Sequence, residues 1–302
     1  MVLRRDEWLK WVLLLVLALI WGSSFILMKR GLYHEGVPVL TPWQMASARL
    51  AIAWLVLSPL LIVHFPLFRK YWIPLLGTGV LGNGIPAFLF AVAQLRIDSS
   101  LSGALNSLTP LFTLLVGVLF FARRLRGFHL VGTMVGLLGA LGLILWKQAD
   151  GLPTWSIYAF LPIVGTMCYG ASANIVKHYL YGLPAAATAA LALTFVGPLG
   201  IVGIFASGLP QALGTVPHAW ASLGYVALLA VFSSALSLVL WNALLKRTSA
   251  VWASSVTYLM PVVALGWGFA DGELMTMRQG AMIALVLCGV YLVSIAERKT
   301  DP

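Results

Sequence analysis

Two prolines lie within apolar stretches of this 302-residue chain, and each has a polar residue four positions before it. Pro110 follows Asn106, and Pro261 follows Thr257. A proline inside a helix has no N–H to donate, so the carbonyl four residues earlier loses its usual partner. In an apolar environment such groups must face other protein atoms or a water-filled cavity. The spacing therefore predicts, at both places, either a packing kink or the wall of a binding cavity.

Further polar and aromatic side chains lie at similar depth in the apolar stretches. Asn83 has several hydrogen bonds to satisfy, and Trp21 and Tyr169 lie too deep for the aromatic belt at a membrane surface. Such side chains either fill a core or line a cavity, where aromatic walls and a few polar groups bind a small molecule. The predicted cavity-lining residues are Trp21, Ser24, Asn83, Asn106, Tyr169, Ser234, Thr257 and Tyr258.

Arg49 is the one basic residue well inside an apolar stretch, roughly 12 Å from the start of its predicted helix at about 1.5 Å per residue. A charge at membrane depth is costly and often marks a functional site. The alternative is a structural arginine that bonds to carbonyls at a helix break or reaches the nearby membrane surface. The outer end of the helix is close, which favours the structural interpretation and leaves Arg49 as a possible charge site.

The residues that most catalytic and metal sites need are missing from the apolar stretches. No Asp or Glu lies deep within them, and the five histidines form no cluster along the sequence. The chain has neither a phosphate-binding loop nor an HExxH motif, and its two cysteines have no metal-ligand spacing. We therefore expect no enzyme activity, no cofactor and no metal site.

The polar residues are carried by ten apolar stretches, each close to the roughly 20 residues that cross a membrane. The chain is 61% hydrophobic and 9% charged, whereas soluble domains carry about 25% charged residues. The predicted fold is all-α and integral to the membrane, with no loop long enough for a soluble domain. The spans are about 11–29, 42–63, 72–94, 100–121, 129–147, 156–177, 185–206, 219–245, 250–270 and 280–296.

The net charge is +10. The basic residues lie in short breaks between the spans, so we interpret them as residues that orient the helices in the membrane and not as a nucleic-acid-binding surface. With the amino terminus inside, thirteen basic residues are cytoplasmic and five are external. This bias predicts that both termini are cytoplasmic and requires an even number of spans. The inside set is Arg4, Arg5, Lys10, Arg69, Lys70, Arg123, Arg124, Arg126, Lys177, Lys246, Arg247, Arg298 and Lys299; the outside set is Lys29, Arg30, Arg96, Lys147 and Arg278.

The two halves of the chain share residues in the same order at nearly constant offsets. Trp21-Gly22-Ser23-Ser24 with Lys29 matches Tyr169-Gly170-Ala171-Ser172 with Lys177 at an offset of 148. Arg96, Asn106 and Pro110 match Arg247, Thr257 and Pro261 at 151, and Gly82-Asn83-Gly84 corresponds to Ser233-Ser234 with Ser237. The pattern predicts a duplication with repeats at residues 1–150 and 151–302.

Each predicted repeat has five spans, so the second must enter the membrane in the opposite orientation to the first. Two inverted repeats can exchange conformations, which exposes a central site to each side of the membrane in turn. A purely structural membrane protein has no need of this arrangement. It therefore favours transport of a solute.

The chain resembles the EamA-type ten-helix members of the drug/metabolite transporter superfamily over nearly its whole length. The resemblance implies a multi-pass inner-membrane protein that exports or facilitates passage of amino acids or other small metabolites. The sequence departs from the family pattern at Arg123, where an acidic residue like Glu273 is common. The matching residues are Ile20 to Phe25, Pro42 with Arg49, Ala243 to Ala250, Pro261, and Glu273 to Gln279.

These observations favour a secondary transporter or facilitator that exports a small neutral or zwitterionic, amino-acid-like metabolite by alternating access. We expect it to act in the lipid bilayer as a monomer or homodimer. A carrier of organic anions or phosphorylated metabolites, using Arg49, Lys29 or Lys177, is the alternative within the transporter class. A membrane-embedded enzyme or a scaffold is disfavoured, because the sequence lacks paired carboxylates, a metal cluster and a nucleophile–base pair.

Overall fold

A computed structural model describes residues 2–97, 99–122, 127–147, 157–270 and 277–298. The described chain is nearly all helical, apart from two short antiparallel strands, β1 (Tyr33–His34) and β2 (Val37–Pro38). The predicted loop at Asp150 and the compared positions Arg123 and Glu273 lie outside the described residues.

Most helices overlap the stretches that were predicted as spans, several of them in two segments, whereas residues 209–215 form a short helix between two predicted spans. Two of the segments are π-helical, here named π1 (Val80–Gly84) and π2 (Leu229–Leu236). The α-helices are α1 (Val2–Leu32), α2 (Pro42–His64), α3 (Phe68–Gly79), α4 (Ile85–Ala93), α5 (Ser99–Asn106), α6 (Thr109–Phe120), α7 (Gly127–Lys147), α8 (Phe160–Tyr179), α9 (Ala185–Leu193), α10 (Gly197–Ala206), α11 (Leu209–Thr215), α12 (Ala219–Leu228), α13 (Ser237–Arg247), α14 (Ala250–Ser254), α15 (Val256–Ala270) and α16 (Met277–Arg298).

Five helical stretches of the described chain are long and apolar enough to cross a membrane: Trp8–Leu32, Pro42–Ala93, Ile157–Tyr179, Ala185–Ala206 and Ala219–Arg247. Shorter apolar helices occupy Thr109–Phe120, Gly127–Gly142, Ala250–Val263 and Gly280–Val293. Large apolar side chains such as Ile62, Leu119 and Phe120 are more than 70% exposed, as expected for surfaces that contact lipid. The fold is that of a membrane protein with several spans, and the number ten stays a prediction.

Helix breaks occur near both prolines, and the carbonyls that the prolines free are hydrogen-bonded. The Asn106 carbonyl accepts from Thr109 Oγ1 at 2.7 Å, and the Thr257 carbonyl accepts from Ser107 Oγ at 3.2 Å. Hydroxyl groups thus replace the missing backbone donors. Both carbonyls are therefore already hydrogen-bonded within the protein. The side chains of Asn106 and Thr257, in contrast, line the cavity described below.

Two close helix crossings are related by the same offsets as the sequence repeat. At the first crossing, a Cβ atom added to Gly22 in α1 would lie 2.7 Å from Val263 Cβ in α15. At the second, a Cβ atom added to Gly170 in α8 would lie 2.8 Å from the Thr113 nitrogen and 2.9 Å from the Phe112 carbonyl carbon, both in α6. Gly170 follows Gly22 by 148 residues, and Val263 follows Phe112 by 151. Each half therefore supplies one glycine to an equivalent crossing with the other half.

A third glycine contact joins α7 to α16. A Cβ atom on Gly139 would lie 2.7 Å from the Val286 nitrogen, and one on Gly132 would lie 2.8 Å from the Val293 nitrogen. Small residues let helix backbones approach this closely. The glycine series of α7 thus serves packing within the chain.

Candidate functional site

A cavity of about 930 Å³, partly open to solvent, lies where helices of the two halves meet. Its wall includes both π-helical segments, the ends of α5 and α14, and the middle of α1 and α8. π-Helical turns are uncommon and occur frequently at functional sites. Residue 83 lies in π1 and residue 234 in π2 at an offset of 151, so the two irregular segments are counterparts in the repeat.

The structure brings together most of the residues predicted to form a site. Seven of the eight contribute to the wall of this one cavity, and Arg49 does so as well. Their role in binding stays a prediction. The seven are Trp21, Ser24, Asn83, Asn106, Tyr169, Ser234 and Thr257.

Tyr258 is the predicted site residue that the structure places elsewhere. It is fully buried, its hydroxyl donates to the Thr133 carbonyl at 2.8 Å, and its ring lies where a Cβ atom of Gly136 would be. Successive residues of an α-helix point about 100° apart, so Tyr258 faces α7 while Thr257 faces the cavity. Tyr258 therefore belongs to the packing between α15 and α7.

Arg49 lies two turns into α2, whose start is well defined. Thr41 and Gln44 form a reciprocal capping box, with Pro42 in the first turn. The Arg49 Nε donates to Ser234 Oγ at 2.8 Å. The side chain thus points to π2 in the other half, and the interpretation that it reaches the membrane surface is not what the structure shows.

Aromatic pairs form two opposite parts of the cavity wall. Trp21 lies with its ring centroid 5.5 Å from that of Trp241, and Tyr169 stacks on Phe90 at 5.9 Å. Tyr169 follows Trp21 by 148 residues and Trp241 follows Phe90 by 151, so the two pairs are equivalents in the repeat. The sequence did not lead us to predict Trp241 and Phe90 as site residues, although the offset of 151 that relates them is the one found between other pairs.

The Trp21 indole is held by hydrogen bonds from the second half. Its Nε1 donates to Ser237 Oγ at 3.0 Å and to the Ser233 carbonyl at 3.2 Å. Ser24 Oγ donates to the Trp21 carbonyl at 2.6 Å. The two bonds from Nε1 hold the indole against π2 and α13, where it forms part of the cavity wall.

Three polar atoms of the cavity-lining residues are buried and have no hydrogen-bond partner within the described chain. They are Thr78 Oγ1, Asn83 Nδ2 and Asn242 Oδ1. A buried polar atom without a partner costs about 1–3 kcal/mol. A bound polar solute or water would remove this cost.

Fifteen other lining residues were not predicted; most of them are hydroxyl or apolar side chains with no motif of their own. Eight of the fifteen lie three or four residues along the chain from a predicted one, which is the spacing of one helix face. They are Phe25, Met28, Thr78, Gly82, Phe90, Thr109, Ser172, Val176, Ser233, Ser237, Leu238, Trp241, Asn242, Ser254 and Met260. Within the described ranges, no group of three or more His, Cys, Asp or Glu could hold a metal ion.

A second, smaller cavity of about 200 Å³ shares Val176 and Asn242 with the first. Beside it, Lys177 Nζ donates to the carbonyls of Leu245 at 2.9 Å and Thr248 at 2.7 Å. These carbonyls end α13, where a cation is favourable. Val176 and Asn242, both buried, thus lie between the central cavity and this smaller pocket, which Lys177 also lines.

Comparison with known proteins gives one consistent family. The model of the EamA-like transporter family matches the chain twice, over residues 9–145 and 156–295. A solved crystal structure superposes with a TM-score of 0.71 over 96% of this chain and 98% of its own, at 17% identity. At that identity the superposition shows a shared fold.

Three similar proteins match over nearly their whole length. An uncharacterized transporter of Archaeoglobus fulgidus is 24% identical over 94% of this chain and 98% of its own. The uncharacterized inner membrane transporter YedA of Escherichia coli (strain K12) is 26% identical over 94% and 90%. A probable amino-acid metabolite efflux pump of Salmonella typhimurium is 26% identical over 96% and 94%.

Proposed function

Because the chain belongs to the EamA-like transporter family of the drug/metabolite transporter superfamily, and is therefore a membrane transporter, we propose that it exports a small neutral or zwitterionic, amino-acid-like metabolite across the inner membrane. The observation that carries this proposal is the central cavity, to which both halves contribute equivalent aromatic pairs and polar residues. The relative named as a probable amino-acid metabolite efflux pump supports the substrate class and the direction.

The chemistry of the cavity suits such a molecule. Its wall combines aromatic rings with a small number of hydroxyl and amide groups, as the walls of small-molecule sites do. Aromatic rings would contact an apolar side chain, while hydroxyl and amide groups such as Asn106 and Thr257 would bind the polar end. The buried polar atoms of Thr78, Asn83 and Asn242 that lack partners supply further hydrogen bonds.

The proposed mechanism is alternating access between two inverted repeats, residues 1–150 and 151–302. The two matches of the family model, residues 9–145 and 156–295, support this division. The equivalent crossings at Gly22 and Gly170 support an exchange of conformations, because each repeat makes the same kind of contact with the other.

Lys177 and its counterpart Lys29 differ in a way that supports a conformation closed on one side. Lys177 binds two carbonyls at the end of α13, whereas Lys29 is exposed and, within the described residues, makes no such bond to the end of α4. Under the proposed topology, with both termini cytoplasmic, Lys177 lies at the cytoplasmic side. The cavity would then be closed to the cytoplasm and would open outward.

The test is transport by the purified protein in liposomes. Liposomes preloaded with one of a panel of unlabelled L-amino acids are diluted into a trace of the same labelled compound. Exchange should be saturable and should exceed that of protein-free liposomes for at least one apolar amino acid. A panel in which no amino acid exchanges above the protein-free level, with protein that is monodisperse before reconstitution, would refute the proposed substrate class.

A further inference from the structure

We propose that Arg49 binds a single carboxylate of the transported molecule, so that the substrate is a monocarboxylate with an apolar body, such as an amino acid with an apolar side chain. This inference rests on the proposed transport function and names the group by which the cavity recognises its substrate.

The first argument is the unused bonding capacity of Arg49. A guanidinium group has five N–H donors in one plane, and the structure shows one of them in use, from Nε to Ser234 Oγ at 2.8 Å. Within the described chain no further hydrogen bond or ion pair of Arg49 is found. The side chain lines the cavity, so its terminal N–H groups are available to a solute there. Two parallel N–H groups match the two oxygens of a carboxylate.

The second argument is the lack of a counter-charge. Among the cavity-lining residues of the described chain, Arg49 is the one that carries a charge. All nine Asp and Glu residues lie outside the predicted spans. A charge at membrane depth needs a partner or water, and an anion in the cavity would supply that partner whenever substrate is bound.

The third argument concerns the number of negative charges. Of the three basic residues that an anion carrier would use, Arg49 alone lines the cavity, since Lys29 is exposed and Lys177 binds the end of α13. One carboxylate balances one guanidinium, and the ammonium group of an amino acid would need an acceptor such as Asn242 Oδ1, which has no partner within the described chain. A phosphate ester carries close to two negative charges near neutral pH, and its second charge would be left unbalanced inside the protein. The site thus favours a monocarboxylate over a phosphorylated metabolite.

The aromatic part of the cavity wall indicates what the substrate carries besides its carboxylate. The pairs Trp21–Trp241 and Phe90–Tyr169 face the same cavity as Arg49. Aromatic rings bind apolar groups through large contact areas. The recognised molecule therefore has a carboxylate at one end and an apolar body.

A purely structural Arg49, which joins α2 to π2, makes a different prediction. In that case its charge would not change which compounds bind. The experiment thus compares compounds that differ only in the carboxylate, on the full-length wild-type protein and on variants at Arg49.

The probes are L-leucine, L-phenylalanine and L-tryptophan, each with its methyl ester and its decarboxylated amine. Each unlabelled probe competes with the labelled amino acid that exchanges best in liposomes. For the wild type, we expect the acid of each effective set to compete at a concentration at least about tenfold lower than the ester or the amine, because hydrogen bonds to charged groups are worth about 1.5–3 kcal/mol. The same order should appear in the thermal shift of the purified protein, since a ligand stabilises the state that it binds.

Arg49→Gln should remove the preference for the acid by weakening binding of the acid. It should not weaken binding of the ester, which is a cation and loses repulsion from the guanidinium. Arg49→Lys keeps the charge without the planar pair of donors and should keep part of the preference. Arg247→Gln is the matched control, because Arg247 is exposed and bonds to its own helix at the Ala243 carbonyl; it should behave like the wild type.

The outcomes separate the two levels of the proposal. If acid, ester and amine compete equally in the wild type, the carboxylate site is refuted and the transport function stands. Unchanged acid preference in a folded Arg49→Gln protein also refutes it. If none of the amino acids exchanges, the proposed function itself fails. Because the comparison of probes uses the wild type, it does not depend on whether the variants fold.

Discussion

The Nε1 atom of Trp21 lies 3.0 Å from Oγ of Ser237, and the hydrogen bond between them joins the first half of the chain to the second across the wall of the cavity. The two residues are 216 positions apart in the sequence. The orientation of the indole is thus set by a residue in the other half of the chain, so a motion of one half against the other would change the shape of the cavity.

Trp21→Phe should lower transport while leaving the protein folded. The substitution keeps an aromatic ring but removes the donor to Ser237 and Ser233. Loss of one hydrogen bond of about 0.5–1.5 kcal/mol predicts a decrease of about threefold to tenfold in exchange rate. Trp21→Ala, which also removes the ring, should decrease it further. Trp220→Phe is the control, since Trp220 is 69% exposed; equal rates in both phenylalanine variants would contradict the prediction.

The counterparts Asn106 and Thr257 should have similar effects on transport. Both are buried at the cavity, and Asn106 Nδ2 contacts Met260 Sδ at 3.3 Å. Asn106→Leu and Thr257→Val remove polar groups that would bind the polar end of a solute. Exchange should fall about fivefold to a hundredfold in each, since a polar group left unpaired costs about 1–3 kcal/mol.

Thr194→Val is the control for these two variants, because the Thr194 hydroxyl bonds to the Ala190 carbonyl away from the cavity. Its exchange rate should stay within about twofold of the wild type, as is usual for substitutions away from such features. Monodispersity by size exclusion is measured in parallel. Full activity of folded Asn106→Leu and Thr257→Val would place the binding site elsewhere.

Alanine at either glycine crossing should destabilise the protein. At Gly22 the new Cβ atom would meet Val263 at 2.7 Å, and at Gly170 it would meet the backbone of α6 at 2.8 Å. Overpacking of this kind costs about 1–3 kcal/mol, so thermal unfolding in detergent should occur at lower temperature. Gly224→Ala, with nothing within 4 Å, should not lower it. Unfolding temperatures that fall only at Gly22 or only at Gly170 would argue against equivalent crossings.

Lys177→Met should make the cavity more accessible from the side on which Lys177 lies. The variant loses the bonds to the Leu245 and Thr248 carbonyls. In a background without Cys168 and Cys288, a cysteine at Asn242 should react with a membrane-impermeant maleimide in inside-out vesicles. We expect the rate to rise about tenfold or more, in line with about 1.5–3 kcal/mol for a charge-assisted bond.

Lys246→Met is the matched control, because Lys246 lines the same small pocket but, within the described chain, does not bond to the end of α13. Its labelling rate should equal that of the parent. A rate that is the same in all three proteins would mean that Lys177 does not hold this side closed.

Topology is tested independently of transport. A reporter fused after Asp150 should be active in the periplasm, and one fused after Pro302 should be active in the cytoplasm, because the basic residues favour both termini inside. Reporters that locate both positions on the same side of the membrane would contradict the ten-span arrangement.

The helical stretches and much of the cavity wall were predictable, because apolar length and repeat offsets act over whole segments. The direction in which a side chain points was harder to predict. Thr257 and Tyr258 are adjacent and both polar, yet only their rotation about the helix decides that one faces the cavity and the other faces Thr133. Composition carries no information about that rotation. The matched pairs Trp21–Trp241 and Phe90–Tyr169 could have been predicted by applying the offset of 151 to aromatic residues in span 3.

The direction of Arg49 could not be inferred from its own helix. Depth alone allows a bond to the membrane surface or to the interior, and the choice depends on Ser234, 185 positions away. The hydrogen bonding of the two carbonyls that the prolines free was equally hard to predict. The Asn106 carbonyl accepts from the nearby Thr109, whereas the Thr257 carbonyl accepts from Ser107 in the other half. Long-range partners of this kind follow from the tertiary arrangement.

The positive charge of Arg49 in the cavity wall has a consequence for the energetics of the proposed export. A zwitterionic amino acid crosses with no net charge, so its distribution follows its concentration on the two sides. A carboxylic acid without an amine carries one negative charge outward from a cell whose interior is negative, and 100 mV is then worth about 2.3 kcal/mol, or about a 50-fold gradient. Arg49 would neutralise that charge in the protein while remaining on α2, so the membrane voltage itself would drive such a substrate out of the cell without a coupling ion.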